Sequence, residues 1–421
     1  MTRGLLSRSE VSAVSAISAI SAALSKSFNG VVAGVVAQFF EQGTGAFTGR
    51  SDSGTGAGVS RLRPRGAGAT IYGMRAKVAV LGASGFAGAE LLRRLLDHPQ
   101  LEVVRVCAND HVGELVARAH PHLEGLTQLR FENPPPAEAA RGVDAVLMGL
   151  PHGASCEVVA AVAGSDTRIV DMSGAFRVKN PASYAHYYGS AHPRPELLEQ
   201  FVYGLPELNR ERIQSARWVA SAGCFATTIE LMLLPFAKAG LLRGSVQVVG
   251  ITGSSGAGAA PTATTHHPVR AHNLRTYKPL EHPHTPEIVE TLTASGAREL
   301  SLGFVPVSAP LTRGIFATAF FQVPASVGED ELRALPGRTY RNERCVLVPE
   351  ARLPEVVAVL GSNRAEVGIA LGPVVGETRA VTVFGALDNL VKGGAGQALQ
   401  NLNLMLGLEE LSGLSTPGFF P

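Results

Sequence analysis

The chain has 421 residues, enough for two medium-sized domains with substantial cores. Its 37 basic and 35 acidic residues nearly balance, which argues against a nucleic-acid partner, and no apolar run reaches the roughly 20 residues of a membrane span. The four cysteines show no regular spacing, so a disulfide framework is not expected and a reducing, cytoplasmic compartment is favoured.

Residues 1–73 differ in composition from the rest of the chain. They hold three acidic residues against seven basic ones and contain the run SAVSAISAISAA. Two interpretations stay open. The segment is either upstream sequence from a misplaced start, since Met74 directly precedes an apolar strand pattern, or a transit peptide for a plastid or mitochondrion. The predicted globular part begins at Met74.

A buried strand, a glycine turn and an amphipathic helix are predicted over residues 77–96, KVAVLGASGFAGAELLRRLL. Glycines in such a turn let the backbone approach a pyrophosphate at the helix N-terminus, although the spacing here is GxxGxxG and a turn that binds nothing is the alternative. The expected cofactor contacts of this turn are Gly82, Ser84, Gly85, Phe86 and Gly88.

Further strands alternate with helices up to residue 222. The second strand, 102–110, ends in Asp110, an acid placed to hydrogen-bond the ribose 2′-hydroxyl of NAD. Strands are also predicted at 143–151 and 167–174, and the loop PHGAS after the first of these lies where ligands bind in open parallel sheets. The pattern predicts an α/β protein whose residues 74–222 form a Rossmann-type, doubly wound, NAD(P)-binding domain.

Cys224 falls at the junction between a strand, Trp218–Ser221, and a helix with an apolar stripe. The N–H groups at a helix start stabilise a thiolate and lower the pKa of a thiol, as a nucleophile requires. A buried structural cysteine is the alternative. Thr227 and Thr228 are candidates to cap the helix or to donate hydrogen bonds to a developing oxyanion.

Residues 223–384 are predicted to form a second α+β domain for the substrate. After a glycine- and serine-rich turn, GSSGAGAAP, His282 and His284 stand just before a helix start, and a histidine there can relay a proton. Their HxH spacing also suits a metal, but no acidic or cysteine partner is evident nearby, so no metal is expected.

Two arginines are candidates to clamp a carboxylate or phosphate, Arg177 in SGAFR and Arg313 in LTRGI. The segment LGFVPVSAPLTRGIFATAFFQV alternates apolar and small residues, which predicts antiparallel strands. Residues 385–421 are predicted to enter a helix that packs back on the nucleotide domain.

The motifs together resemble the N-acetyl-γ-glutamyl-phosphate reductase family of arginine synthesis. They occur in family order over about residues 77–405 and include GASGFAGAELLRRL, LPHG, DMSGAFR, YGLPELNR, GCFAT, GSSGAGA, HPHTPEI, TRGI and DNLVKGGAGQALQNLN. The resemblance implies a semialdehyde dehydrogenase-like fold, NADPH as cofactor and a homodimer or homotetramer.

The resemblance also implies roles for individual residues. Cys224 would attack the acyl phosphate to form a thioester, and hydride transfer would then give N-acetylglutamate 5-semialdehyde. His282 would be the general acid/base, with His284 orienting the substrate. The remaining implied contacts are Ser155 for the substrate and Gly256, Asn389 and Lys392 for the cofactor.

Three departures from the family pattern keep alternatives open. Ser221 and Ala222 stand where the family has Asn-Pro, and Ala175 stands where it has Asp. Asp110 and Glu114 would repel a 2′-phosphate, so NAD is a possible cofactor. The alternatives are a reductase of aminoadipyl phosphate carried on a small acidic protein in lysine synthesis, an aspartate-semialdehyde dehydrogenase, and a catalytically silent regulatory module that binds a nicotinamide.

Overall fold

In the computed structural model, which describes residues 75–420, the first seven strands form one sheet in the order β3-β2-β1-β4-β5-β7-β6. Every strand pair in it is parallel. The strands are β1 (Ala76–Leu81), β2 (Leu101–Cys107), β3 (Phe131–Glu132), β4 (Ala145–Met148), β5 (Arg168–Asp171), β6 (Phe201–Gly204) and β7 (Trp218–Ser221). The predicted doubly wound sheet is confirmed, while the predicted leader, 1–73, lies outside the described residues.

The order of the first sheet reverses between β1 and β4, since β2 lies on one side of β1 and β4 on the other. Both strands are fully buried along most of their length, which explains their continuous apolar runs. A crevice forms at the carboxyl ends of strands where the order reverses. This topology places the glycine turn after β1 at the edge of a ligand crevice.

The second sheet has seven strands in the order β12-β13-β14-β11-β8-β10-β9. They are β8 (Arg243–Thr252), β9 (Arg275–Thr276), β10 (Arg298–Ser308), β11 (Ile315–Pro324), β12 (Val346–Leu347), β13 (Ala365–Val375) and β14 (Thr378–Leu387). The prediction of antiparallel strands holds for β11, which pairs antiparallel with β8 and β14. It holds only in part for β10, which pairs antiparallel with the short β9 but parallel with β8, because a helix carries the chain from β8 to β10.

Twelve α-helices surround the two sheets in the described part of the chain. They are α1 (Phe86–Leu95), α2 (Val116–Ala119), α3 (Pro136–Ala139), α4 (His152–Val162), α5 (Pro181–Tyr188), α6 (Pro206–Gln214), α7 (Cys224–Lys238), α8 (His267–Arg270), α9 (Thr285–Ala294), α10 (Glu329–Thr339), α11 (Val356–Val359) and α12 (Gly396–Met405). Within residues 75–420, no helix is long and apolar enough to cross a membrane.

Helix α7 forms the centre of the second core. Every residue from Phe225 to Ala237 is buried, and the helix packs on β11 and β14. Its core side chains form one apolar cluster with those of the second sheet, including Phe304 and Phe321. Because α7 begins directly after β7 of the first sheet, its first residue lies where the two sheets meet.

The C-terminal helix α12 packs on the first sheet, as predicted. Ala398, Leu399 and Leu402 belong to the same apolar cluster as Val78 and Val80 of β1. The predicted boundary between residues 384 and 385 is wrong, however, because β14 continues without a break from Thr378 to Leu387. The segment therefore begins after Leu387, with a π-helical turn at Val391–Ala395.

Lys392 lies inside this turn with its side chain fully buried. Its ammonium nitrogen is 2.6 Å from Oε1 of Glu207 on α6 and 2.9 Å from Oε1 of Gln400 on α12. Burial is the largest single influence and would lower the pKa of the ammonium group, but the charge and hydrogen bond of Glu207, with smaller contributions from Cys345 and Glu410, together raise it. The prediction that Lys392 contacts the cofactor is wrong, because an interior ion pair uses the side chain to hold the turn against the first domain.

We expect Lys392→Met to lower the free energy of unfolding by about 3–5 kcal/mol, because it leaves the Glu207 carboxylate buried without a counter-ion. Guanidinium unfolding would measure the loss. The control is Arg344→Met, which removes an exposed pair with Glu409 and should cost no more than about 1 kcal/mol. Equal losses in the two variants would contradict the buried-pair interpretation.

Candidate active site

Cys224 is the first residue of α7 and lies on the wall of a cleft of about 410 Å³. Gly223 precedes it in an extended conformation and carries no side chain that could cap the helix. The cleft also contains Gly82 and Gly85 from the glycine turn, and His282 and His284 from the second half of the chain. The structure thus brings the predicted nucleophile, the predicted nucleotide turn and both histidines into one space.

The glycine turn has the geometry that close backbone approach requires. Gly82 adopts a left-handed conformation with φ of 75°, and a Cβ there would lie 2.3 Å from the carbonyl oxygen of Gly149. Gly88 packs α1 against the turn, since a Cβ would lie 2.5 Å from the Cα of Ala83. Gly85 starts the helix, where free N–H groups attract an anion.

A second cleft, of about 530 Å³, adjoins the first on the β2 side and shares Gly82, Gly85 and Gly149 with it. Ser84 and the exposed Asp110 lie on its walls. Two clefts joined at a glycine turn fit the two halves of a dinucleotide. The cofactor would place its adenosine half beside Asp110 and its nicotinamide half beside Cys224.

His282 and His284 lie edge to face, with ring centroids 4.7 Å apart. The backbone N–H of His284 donates to Nδ1 of His282 at 3.1 Å, so a neutral His282 ring carries its proton on Nε2. Burial, with a smaller contribution from the Lys278 charge, lowers the pKa of His282 to about 4. The pKa of His284 is also lowered by burial and by the neighbouring His282 and Arg177. Both rings are therefore neutral near pH 7.

Arg177, a predicted substrate ligand, lines the cleft beside Gly223. One guanidinium nitrogen, Nη1, lies 3.4 Å from Oε1 of Glu287 and 3.5 Å from Nε2 of His284. A Cβ on Gly223 would lie 2.6 Å from the same nitrogen and 2.5 Å from Nε2 of His284. Arg177 and His284 are thus in close packing contact with the turn at Gly223 and Cys224, which we call the nucleophile turn. Only a glycine at 223 permits this contact.

Sequence reasoning missed Glu287, although its residue type was visible in HPHTPEI. It stands in the first turn of α9, its side chain is fully buried, and Oε2 accepts a hydrogen bond from the N–H of Gly223 at 3.2 Å. The spacing could have revealed it, because a glutamate three residues after His284 at a helix start lies next to that histidine and so belongs to the same site.

The expected lowering of the Cys224 pKa is wrong for the protein without substrate. Burial raises the pKa of the thiol to about 11, although the charge of Arg177 and the N–H of Phe225 act in the opposite direction. The threonines do not cap the helix either. Thr227 accepts a hydrogen bond from Gln397, and Thr228 donates to the carbonyl of Cys224.

Two further expectations need correction. Ser155 is not in a loop but inside α4, fully buried, and its hydroxyl donates to Asp171 at 3.1 Å. Arg313 is bound to two carboxylates, with Nε 2.8 Å from Asp388 and Nη2 3.4 Å from Glu90. Their side chains are therefore occupied by structural contacts and are not free to clamp a substrate.

Three remaining predicted residues line the cleft that contains Cys224, which we call the catalytic cleft. Phe86 is 42% exposed at the start of α1, and Gly256 lies in the glycine- and serine-rich turn. Asn389 is buried. Its Nδ2 donates to the Ser255 hydroxyl at 3.0 Å, and its Oδ1 accepts a hydrogen bond from the N–H of Gly314. It thereby ties the C-terminal segment to that turn. Within the described range, no group of three or more histidine, cysteine, aspartate or glutamate side chains is arranged to hold a metal ion.

A parallel sheet with a dinucleotide cleft, joined to a mixed sheet that bears a cysteine at a helix start, defines an NAD(P)-binding dehydrogenase. Two family models match the chain: the semialdehyde dehydrogenase NAD binding domain over residues 77–216 and the semialdehyde dehydrogenase dimerisation domain over residues 224–389. The chain belongs to the semialdehyde dehydrogenase family.

Curated relatives carry two kinds of name. A putative LysW-L-2-aminoadipate 6-phosphate reductase from Thermomicrobium roseum is 41% identical over 83% of this chain and 100% of its own length. An N-acetyl-gamma-glutamyl-phosphate reductase from Desulforudis audaxviator is 38% identical over 82% of this chain and 99% of its own. These levels of similarity place the chain near both groups.

Solved structures show the same fold at low sequence identity. Aspartate semialdehyde dehydrogenase II from Vibrio cholerae, in complex with ASA, is 16% identical with a TM-score of 0.59, over 80% of this chain and 99% of that one. The Candida albicans aspartate semialdehyde dehydrogenase with NADP is 13% identical with a TM-score of 0.55, over 79% and 98%. The fold predicted from the sequence is confirmed.

We expect the thiol of Cys224 to react slowly at neutral pH in the protein without substrate, because its raised pKa leaves little thiolate. The rate of alkylation by iodoacetamide, followed by mass spectrometry of the Cys224 peptide, should rise about tenfold per pH unit between pH 7 and 9. Glutathione, treated in parallel, should level off near its ordinary thiol pKa. A plateau for Cys224 below pH 8 would contradict burial as the dominant influence.

Proposed function

We propose that this protein reduces N-acetyl-γ-glutamyl phosphate to N-acetylglutamate 5-semialdehyde and phosphate, with NADPH as the reductant. One observation carries the proposal: Cys224, at a helix start, faces the same cleft as the glycine turn and the two histidines. A nucleophile and a hydride donor must both reach one carbonyl carbon, and this cleft has room for both.

In the first step, Sγ of Cys224 attacks the acyl carbon and the bond from that carbon to the phosphate oxygen breaks. The thiol proton ends on the leaving phosphate, and a thioester remains on the enzyme. The raised pKa of the free thiol means that the proton leaves during the attack and not before it. The guanidinium of Arg177, which lowers the thiol pKa, stabilises the negative charge that develops on sulfur and substrate.

The second step reduces the thioester carbon, and a nicotinamide cofactor held at the glycine turn of Gly82 and Gly85 would supply the hydride. The N–H at Nε2 of His282 is a hydrogen-bond donor for the carbonyl oxygen, which gains negative charge in this step. The tetrahedral adduct then collapses, the aldehyde forms, and Cys224 leaves as a thiolate that takes one proton from solvent. We assign the acid/base role to His282, whose Nε2 lends its proton to the carbonyl oxygen during reduction and takes it back when the adduct collapses. His284, beside Arg177, is assigned a substrate-orienting role.

The full-length protein should reduce NADP in a phosphate-dependent reaction with N-acetylglutamate 5-semialdehyde, measured at 340 nm. Cys224→Ala should lose at least about a thousandfold in turnover, the scale expected for a catalytic nucleophile. Cys156→Ala, a buried cysteine of α4 outside the cleft, is the matched control and should keep its turnover. An active Cys224→Ala variant would exclude the thioester route. A wild type that binds NADP but reduces none would exclude the free substrate and leave the carrier-linked substrate or the silent regulatory module.

A second candidate is the reduction of an acyl phosphate carried on a small acidic protein. The highest identity among the relatives named above, 41%, belongs to a protein with such a name. A smaller cavity of about 210 Å³ adjoins the catalytic cleft and is lined by Arg270 and Arg275. Cations at this place would suit an acidic partner. Activity on the carrier-linked aldehyde, without activity on the free one, would establish this candidate.

The choice between NADP and NAD is proposed to depend on Asp110, whose carboxylate would repel a 2′-phosphate in the adenosine cleft. Asp110→Ser should raise the ratio of kcat/KM for NADP to that for NAD by roughly tenfold, equal to about 1.4 kcal/mol. Glu114→Gln removes the same charge from the same loop but outside the cleft, beside His111, and should leave the ratio unchanged. Equal shifts in both variants would point to a general charge effect.

A further inference from the structure

Behind the nucleophile turn, Glu230 on α7, the partly buried Tyr203 on β6 and Glu287 on α9 form a hydrogen-bonded chain of three acidic groups, which we call the acid chain. The hydroxyl oxygen of Tyr203 is 2.9 and 3.1 Å from the two carboxyl oxygens of Glu230 and 3.0 Å from Oε2 of Glu287. Both glutamates are buried, Glu230 completely. None of the steps derived above uses Glu230.

The single O–H of Tyr203 provides too few donors for two ionised carboxylates. Tyr203 has one O–H and can donate it to one carboxyl group only. The other carboxylate would then face the lone pairs of the tyrosine oxygen at about 3 Å. A proton on one glutamate removes that repulsion, because this glutamate donates to Tyr203 while Tyr203 donates to the other.

The surroundings decide which glutamate holds the proton. Glu287 faces the guanidinium of Arg177 and accepts the N–H of Gly223, and both contacts favour a carboxylate. Glu230 makes no ion pair in residues 75–420. The groups that face it are Tyr203 from β6, Glu287 and Thr291 from α9, the more distant Arg177, and the neutral Tyr340 after α10. The proton therefore belongs on Glu230.

We propose that Glu230 is a positioning residue that stays protonated at neutral pH and, through Tyr203, holds the Glu287 carboxylate on Arg177 and on the N–H of Gly223. Glu287 then carries the negative charge that pairs with Arg177 beside Cys224. An ionised Glu230 would add a second negative charge and weaken the help that Arg177 gives to the thiol. The positioning role rests on the proposed function, whereas the proton on Glu230 does not.

The pKa directions rank the two glutamates in the same order. Burial raises the pKa of Glu287 as well, but the charge of Arg177 and the N–H of Gly223 act against it. Burial and then the charge of Glu287 raise the pKa of Glu230 well above its ordinary 4.5. Because an unfolded glutamate ionises above about pH 4.5 while the buried one keeps its proton, the unfolded state gains relative stability as pH rises. Glu230 therefore costs the native protein stability at neutral pH, and none below pH 4.

The first test compares unfolding of wild type and Glu230→Gln between pH 4 and 8. The amide has the shape of the protonated acid and also donates to Tyr203, so the variant should be the more stable. The ratio of the two unfolding constants should grow with pH above about 4.5, by up to about tenfold per pH unit, for as long as Glu230 keeps its proton in the native protein. Glu207→Gln is the control, since Glu207 is as deeply buried but faces Lys392, and it should be less stable than wild type. A Glu230→Gln variant that is less stable at pH 7 would overturn the proposal.

The second test separates positioning from packing. Glu230→Leu has similar bulk but no donor for Tyr203, and should lower kcat roughly tenfold or more with little change in KM. Glu230→Gln should restore kcat. If the leucine variant keeps wild-type kcat, the positioning role is wrong. Alkylation of Cys224 by iodoacetamide gives a readout without substrate: Glu230→Gln should react within about twofold of wild type at pH 8, and a much faster reaction would show that Glu230 is ionised.

Discussion

The carboxylate of Glu287 is the contact on which the arrangement of the cleft depends. It accepts hydrogen bonds from the nucleophile turn at Gly223 and from Tyr203, and it faces Arg177 from the loop after β5. One group on α9 thus connects both sheets at the point where α7 begins. A buried charge with several partners has few alternative arrangements, because each broken contact leaves a polar group without a partner in a low-dielectric interior.

Glycines supply the second constraint, through contacts that no side chain would allow. Gly223 lets His284 and Arg177 approach the nucleophile turn, and Gly393 in the π-helical turn lies where a Cβ would be 2.8 Å from the Cβ of Cys224. The buried pair of Lys392 and Glu207 holds this turn in place. The C-terminal segment therefore forms part of the cleft wall with its backbone at Gly393. The buried side chain of Lys392 holds that backbone in place from the side away from the cleft.

The polar residues at the site fall into a layer that faces the cleft and a layer behind it. Cys224, His282 and Arg177 line the cleft, whereas Glu287, Tyr203 and Glu230 do not, and both glutamates are buried. Burial keeps both histidines neutral and keeps the thiol protonated, so the resting site carries little free charge beyond the Arg177–Glu287 pair. Such a site develops charge only when substrate reacts, which suits stabilisation by dipoles that are already oriented.

Much of the architecture followed from local patterns in the sequence. Buried apolar runs broken by glycine turns predicted the parallel sheet, and the motif at 218–228 predicted that a helix begins at Cys224. These features depend on near neighbours in the chain, which a sequence displays directly. The parallel pairing of β10 with β8 and the structural uses of Ser155, Arg313 and Lys392 depend on partners far away in the chain. Only the tertiary structure decides which carboxylate meets which cation and how deeply a thiol is buried, because those distances and that loss of water arise when remote segments pack together.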